Sequence, residues 1–94
     1  MYGTMFTFIV KLGHERELLH ELDRGTPKGM IAWFLMKPDN KDEDLIGLAV
    51  FESKEAHIAN ANSLEQSESF SKVMQHLDSE PKWTDGEFIA GAVA

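Results

Sequence analysis

The chain has 94 residues, no cysteine, and a formal net charge of −7 from nine basic and sixteen acidic side chains. Disulfides and cysteine-based zinc sites are therefore excluded. Because the basic residues are scattered singly, so is the positive footprint that nucleic acid or an anionic membrane surface requires. The length implies one small domain over residues 1–94, and a domain this size buries so little surface that oligomerisation becomes the remaining source of added stability.

The opening stretch MYGTMFTFIV is apolar but lacks a basic flank and a small-residue cleavage site, so residues 2–12 read as a strand that ends at Gly13. Residues 14–24 (HERELLHELDR) are helix formers with Leu18, Leu19 and Leu22 at helical spacing, and Gly25 marks the stop. Residues 30–37 (MIAWFLMK) form a second strand closed by Pro38, and residues 45–52 (LIGLAVFE) a third. The polar PDNKDED between them lacks the glycine and distal glutamate of a calcium loop and reads as a solvated hairpin turn. Ser53 can cap a helix beginning at Lys54. Ser63 with Gln66 three residues on matches a capping box, which a continuous helix has no use for. Two helices follow, over about 54–61 and 64–77, with a bend at Asn62–Ser63. The second carries Phe70, Val73, Met74 and Leu77 as a buried stripe. Asp85-Gly86 signals a turn or a bulge, and residues 87–93 a fourth strand. No apolar run is long enough for a membrane span, and a cytoplasmic protein is expected.

The order β-α-β-β-α-β predicts an α+β, ferredoxin-like fold: a four-stranded antiparallel sheet with the helices on one face. In each of the first three strands, however, both alternating faces are apolar. An antiparallel sheet with one wet face should instead alternate with polar residues. The helices can cover only one face, so a second copy is expected to cover the other, making a homodimer with Ile9, Trp33 and Leu48 at its interface.

At this point the residues carry a resemblance. GLAVFESKEAHIANANSLEQSESF, with its apolar strand, the Glu55-Ala56 pair and Ser63, resembles the strand-to-helix signature of the antibiotic biosynthesis monooxygenase superfamily, the dimeric α+β barrels. KLGHERELL fits the family's opening around its first glycine, and the likeness runs over essentially the whole chain. The resemblance implies the dimeric barrel fold and, in part of the family, cofactor-independent oxygenation of phenols and quinols. Two departures stand out. Many oxygenase-like members carry histidine four residues after the alanine of the Glu-Ala pair, where this chain has Asn60. The haem-degrading members' tryptophan, asparagine and late-helix histidine are replaced here by Asn60, Phe6, and Phe70 or Met74, so haem is not expected.

On this reading the candidate catalytic residues are His57 and Asn60. An imidazole of ordinary pKa, near ~6.5, suits a general base, and a buried amide can hydrogen-bond a phenolate. Phe6, Phe8 and Asn60 would line a substrate pocket between the sheet and the second helical region. The bland alternatives are an asparagine that only bends its helix and a histidine at the surface. His14 and His20 read as surface residues, and His76 as a favourable cation at a helix end. Trp33 and Trp83 could stack on a flat substrate, although Trp33 belongs to the alternating apolar face assigned to the interface. No metal and no cofactor are expected, and the partners expected are a second copy and a small aromatic ligand. Three functions fit: an oxygenase-like enzyme, a non-catalytic ligand-binding dimer, and a structural module.

Overall fold

The computed structural model describes residues 1–94. Its elements are β1 (Tyr2–Phe8), α1 (Glu15–Leu22), β2 (Met30–Met36), β3 (Leu45–Phe51), α2 (Lys54–Ala61), α3 (Leu64–Met74) and β4 (Lys82–Glu87). The strands form one antiparallel sheet in the order β2-β3-β1-β4. This is the ferredoxin-like arrangement expected from the sequence, with the second helical region divided in two.

The division falls at Asn62–Ser63 for the anticipated reason. Ser53 begins α2 by accepting the Ala56 N–H at 3.1 Å, and Ser63 begins α3 by accepting the Gln66 N–H at 3.1 Å. The reciprocal arm of the Ser63/Gln66 capping box is absent. The Gln66 side chain instead accepts from the Asn60 amide at 3.5 Å, while the Ser63 hydroxyl donates to the Asn60 carbonyl at 2.8 Å. Asn60 is thus tied into the bend by both its backbone and its side chain.

The main core sits at one end of the helix-covered face, where Phe8 and Leu45 of the sheet meet Leu18 of α1, Val73 of α3 and Leu77 beyond it. A clasp closes this end. The Lys11 N–H donates to the His76 carbonyl at 2.9 Å, and the Asp78 N–H to the Ile9 carbonyl at 2.8 Å. His14 and His76 meet beside it, Nδ1 to Nδ1 at 3.1 Å. Neither histidine is the isolated surface group its position on a helix suggests.

Two expectations are corrected. The fourth strand lies at 82–87, not 87–93, and Asp85-Gly86 is inside it. β1 offers its free edge there, pairing Phe6 with Trp83 and Gly3 with Gly86. That register lets the Trp83 ring pack at a tilt against Phe6 and Phe70, a tertiary gain that overrides the turn signal. Trp33 is the second correction. A register shift between Met30 and Ala32 sets it opposite Ala49, on the helix side, and leaves Ala32, Phe34 and Met36 on the open face. A one-residue slip in a strand exchanges its faces, and sequence alternation cannot reveal the bulge that causes it. Ile9 and Leu48 do have the parity of the open face, with Leu48 paired between Met5 and Phe34.

Candidate functional site

The helix-side face of the sheet is built in rows. One row is Tyr2 and Phe51, flanked on the β4 side by Glu87. The next is Asp85, Thr4, Ala49 and Trp33, and the third Trp83, Phe6, Gly47 and Leu35. The first row is roofed by α2, whose His57 ring tilts against Tyr2 at 5.3 Å and meets Phe51 edge-on at 5.1 Å. The third is roofed by α3, whose Phe70 ring lies 5.9 Å from that of Trp83, with Phe6 a further 5.2 Å away from the indole. These two aromatic clusters stand about 13 Å apart along β1, four residues at the usual rise. Between them lies the row whose middle is made of small, buried side chains, Thr4 and Ala49, with Asp85 and Trp33 at its two ends.

His57 is therefore the inward-facing residue of α2, half-buried among aromatic rings. Its nitrogens make no side-chain hydrogen bond. Asn60, on the same helix, is directed elsewhere. It borders an open groove of about 600 Å³ between α2 and the loop before β2, with Lys28, Glu52, Ala56 and Ser63. Phe8 is buried in the main core, and at its edge borders a different groove, of about 500 Å³, crossed by the Lys37–Glu15 ion pair at 3.1 Å. Of the four residues expected to share one pocket, Phe6 and Phe8 are ring neighbours at 4.8 Å, but His57 and Asn60 face different spaces. The reason is angular, because three residues along a helix do not complete a turn and the Asn60 side chain is drawn toward Gln66.

Asp85 is a residue the sequence concealed. As part of a turn it had no place near the site. As a strand residue opposite Thr4 it supplies a carboxylate in the row between the two clusters. Trp83 likewise gains a definite place, its ring tilted against Phe6 and Phe70 and the residue 46% exposed.

A small antiparallel sheet roofed on one face by helices is the fold that this chain shares with solved structures described as antibiotic biosynthesis monooxygenases. No family model and no curated protein matches the chain. Solved structures do. SnoaB from Streptomyces nogalater, described as a cofactor-independent oxygenase and solved as a point mutant, superposes with a TM-score of 0.82 at 13% identity, covering 96% of this chain and 94% of that one. Rv0793 from Mycobacterium tuberculosis gives 0.80 at 14% identity over 98% of both chains. A candidate antibiotic biosynthesis monooxygenase from Chloroflexus aurantiacus J-10-fl gives 0.72 at 15% identity over 96% of both. At such identities the likeness establishes the shared fold.

Proposed function

We propose that the protein is a small cofactor-independent oxygenase for a flat, electron-rich phenol or quinol, working as a homodimer. The observation that carries this reading is the pair of aromatic clusters, one holding His57 and the other the half-exposed Trp83, on either side of a row centred on small side chains. A planar substrate stacks on the indole with its hydroxyl toward His57. His57 takes the phenolic proton, and a ring carbon ortho or para to the oxygen of the electron-rich anion then bonds to dioxygen. His57 returns its proton to the outer peroxide oxygen, the ring C–H proton is lost as the O–O bond breaks, and water departs to leave a quinone, so dioxygen is the only oxidant needed. The protein contributes a base, an apolar surround and a fixed orientation. Asn60 serves the α2–α3 bend. The shared fold with SnoaB, itself described as a cofactor-independent oxygenase, supports the reaction class.

The homodimer is supported by the open face of the sheet. Phe34, 65% exposed, stands there with Met5, Met36 and Leu48. The paired rows of that face contain no acidic residue, and Lys82 is their sole charge. In a chain of net charge −7, this is a surface on which two copies can meet without bringing carboxylates together.

A second reading, ligand binding without turnover, is favoured by one feature: no carboxylate orients the His57 ring. Oxygen uptake by metal-free protein with a panel of hydroquinones and naphthols separates the two. Wild type should exceed a His57→Ala variant by at least about tenfold, since a positioned base contributes ~100-fold or more. Background rates with retained aromatic binding would select the second reading. Background rates without binding by calorimetry would remove both.

A further inference from the structure

His14 and His76 take no part in the chemistry proposed above. They meet at the Phe8 end of β1, whereas His57 packs on Tyr2 at the other end, about 20 Å away along the strand. Every backbone polar group of the two is engaged. The His14 N–H donates to the Lys11 carbonyl and its carbonyl accepts from the Leu18 N–H, both at 2.9 Å. The His76 N–H donates to the Val73 carbonyl at 3.0 Å, and its carbonyl accepts from the Lys11 N–H at 2.9 Å. Lys11 thus joins the two histidines. Gly13, at a φ of 81°, makes the left-handed turn that leads from Lys11 into His14. Buried Leu18 and Leu77, with the bridge between Val10 and Leu77, anchor both segments in the main core.

Two imidazoles held in this way present their Nδ1 atoms to each other at 3.1 Å, with ring centres 5.4 Å apart and ring planes at 49°. The rings therefore meet nitrogen first. Nitrogens bound to one late first-row ion at ~2.0–2.1 Å stand roughly 2.9 Å apart at neighbouring corners of a square plane, and roughly 3.3 Å apart in a tetrahedron. The separation of the two Nδ1 atoms falls between these values. The nitrogens face each other, so seating an ion takes a swivel of each ring about χ2, a soft torsion in histidine, while the backbones stay where they are. Neither histidine is ion-paired with a carboxylate, so each Nδ1 has the other imidazole as its sole side-chain partner.

We propose that His14 and His76 form a two-imidazole site for a late first-row divalent ion, copper(II) most tightly, with water completing its coordination. Imidazole suits copper, zinc and nickel, and the order of intrinsic affinities puts copper(II) first. Magnesium and calcium, which take oxygen ligands, are not held. The ion replaces the hydrogen bond between the rings: both Nδ1 atoms give it their lone pairs, and both Nε2 atoms carry the ring protons. It clips the start of α1 to the segment after α3, so its binding stabilises the closed clasp. The pattern along the chain holds no sign of this site, because 62 positions separate its two ligands.

The test titrates the whole chain, stripped with chelator, with copper(II) at neutral pH by calorimetry. Wild type should take up one ion per chain. His14→Ala and His76→Ala should each weaken uptake at least about tenfold, since even changes behind a metal ligand cost ~10–100-fold. His20→Ala, which removes an exposed histidine of the same helix, should leave the affinity as it is. Zinc(II) should raise Tm in wild type and in neither ligand variant, and magnesium should raise it in none. Copper(II) below one equivalent should broaden the ring resonances of His14 and His76 in wild type before those of His20 and His57, a readout that requires no variant to fold. Uptake by both ligand variants as tight as that of wild type, or broadening that begins at His20 or His57, would mean adventitious copper at another histidine and overturns the site. Absence of copper(II) uptake by wild type overturns it as well.

Discussion

Gly47→Ala gives the most decisive test of the packing beneath the site, because two physical effects assign it opposite signs. Glycine within a strand carries an entropic cost, and by that criterion alone alanine should stabilise the protein by roughly 0.5–1 kcal/mol. The structure argues the reverse. A methyl group at Gly47 would run into the Phe6 ring, whose edge atoms occupy the space a Cβ needs. Phe6 has little room to retreat, since Phe8 holds it on one side at 4.8 Å and Trp83 on the other at 5.2 Å between ring centres. Forcing extra volume into such a place costs about 1–3 kcal/mol, and tilting the ring away from its aromatic neighbours adds a share of the ~0.5–1.5 kcal/mol each pair is worth. Net of the backbone gain, about 1–3 kcal/mol of destabilisation is expected. In a domain of this size that lowers Tm by roughly 4–8 °C per kcal/mol. Urea denaturation of wild type, Gly47→Ala, Phe6→Leu and the double variant, at one fixed protomer concentration, measures it. Phe6→Leu should relieve the collision, so the two changes should be non-additive by at least about 1 kcal/mol. A Gly47→Ala protein as stable as wild type or more so would refute the placement of the Phe6 ring over Gly47.

Two further outcomes follow from local contacts. Ser63→Ala removes a hydroxyl that both caps α3 and donates to the Asn60 carbonyl, and should cost about 1 kcal/mol by denaturant unfolding, with Thr at the same position recovering most of it. His14→Ala and His76→Ala should each destabilise by about 0.5–1.5 kcal/mol, and together by clearly less than their sum, because each removes the same imidazole–imidazole hydrogen bond. Strict additivity would mean the pair is not formed in solution.

The local features of this chain are legible in its amino-acid sequence. Ser53 and Ser63 start their helices through bonds that reach three residues along the chain, so the break between α2 and α3 is set by a short stretch of sequence. Alternation in β1 and β3 likewise sorts their residues correctly into two faces, because neither strand carries a bulge, but with both faces apolar it does not say which one meets the helices. The rest depends on partners distant in sequence. His14 and His76 meet across 62 positions. Trp33 changes faces because of a register shift at Met30–Ala32, which leaves no mark in the hydrophobic pattern. The fourth strand shows the difference most plainly. Residues 87–93 have the better apolar pattern, yet 82–87 become the strand, since only they bring Trp83 over Phe6 while setting Gly86 beside Gly3. That choice also places Asp85 in the row between the two aromatic clusters, opposite Thr4. Strand pairing depends on which edge is free and what it buries, and only the folded chain decides that.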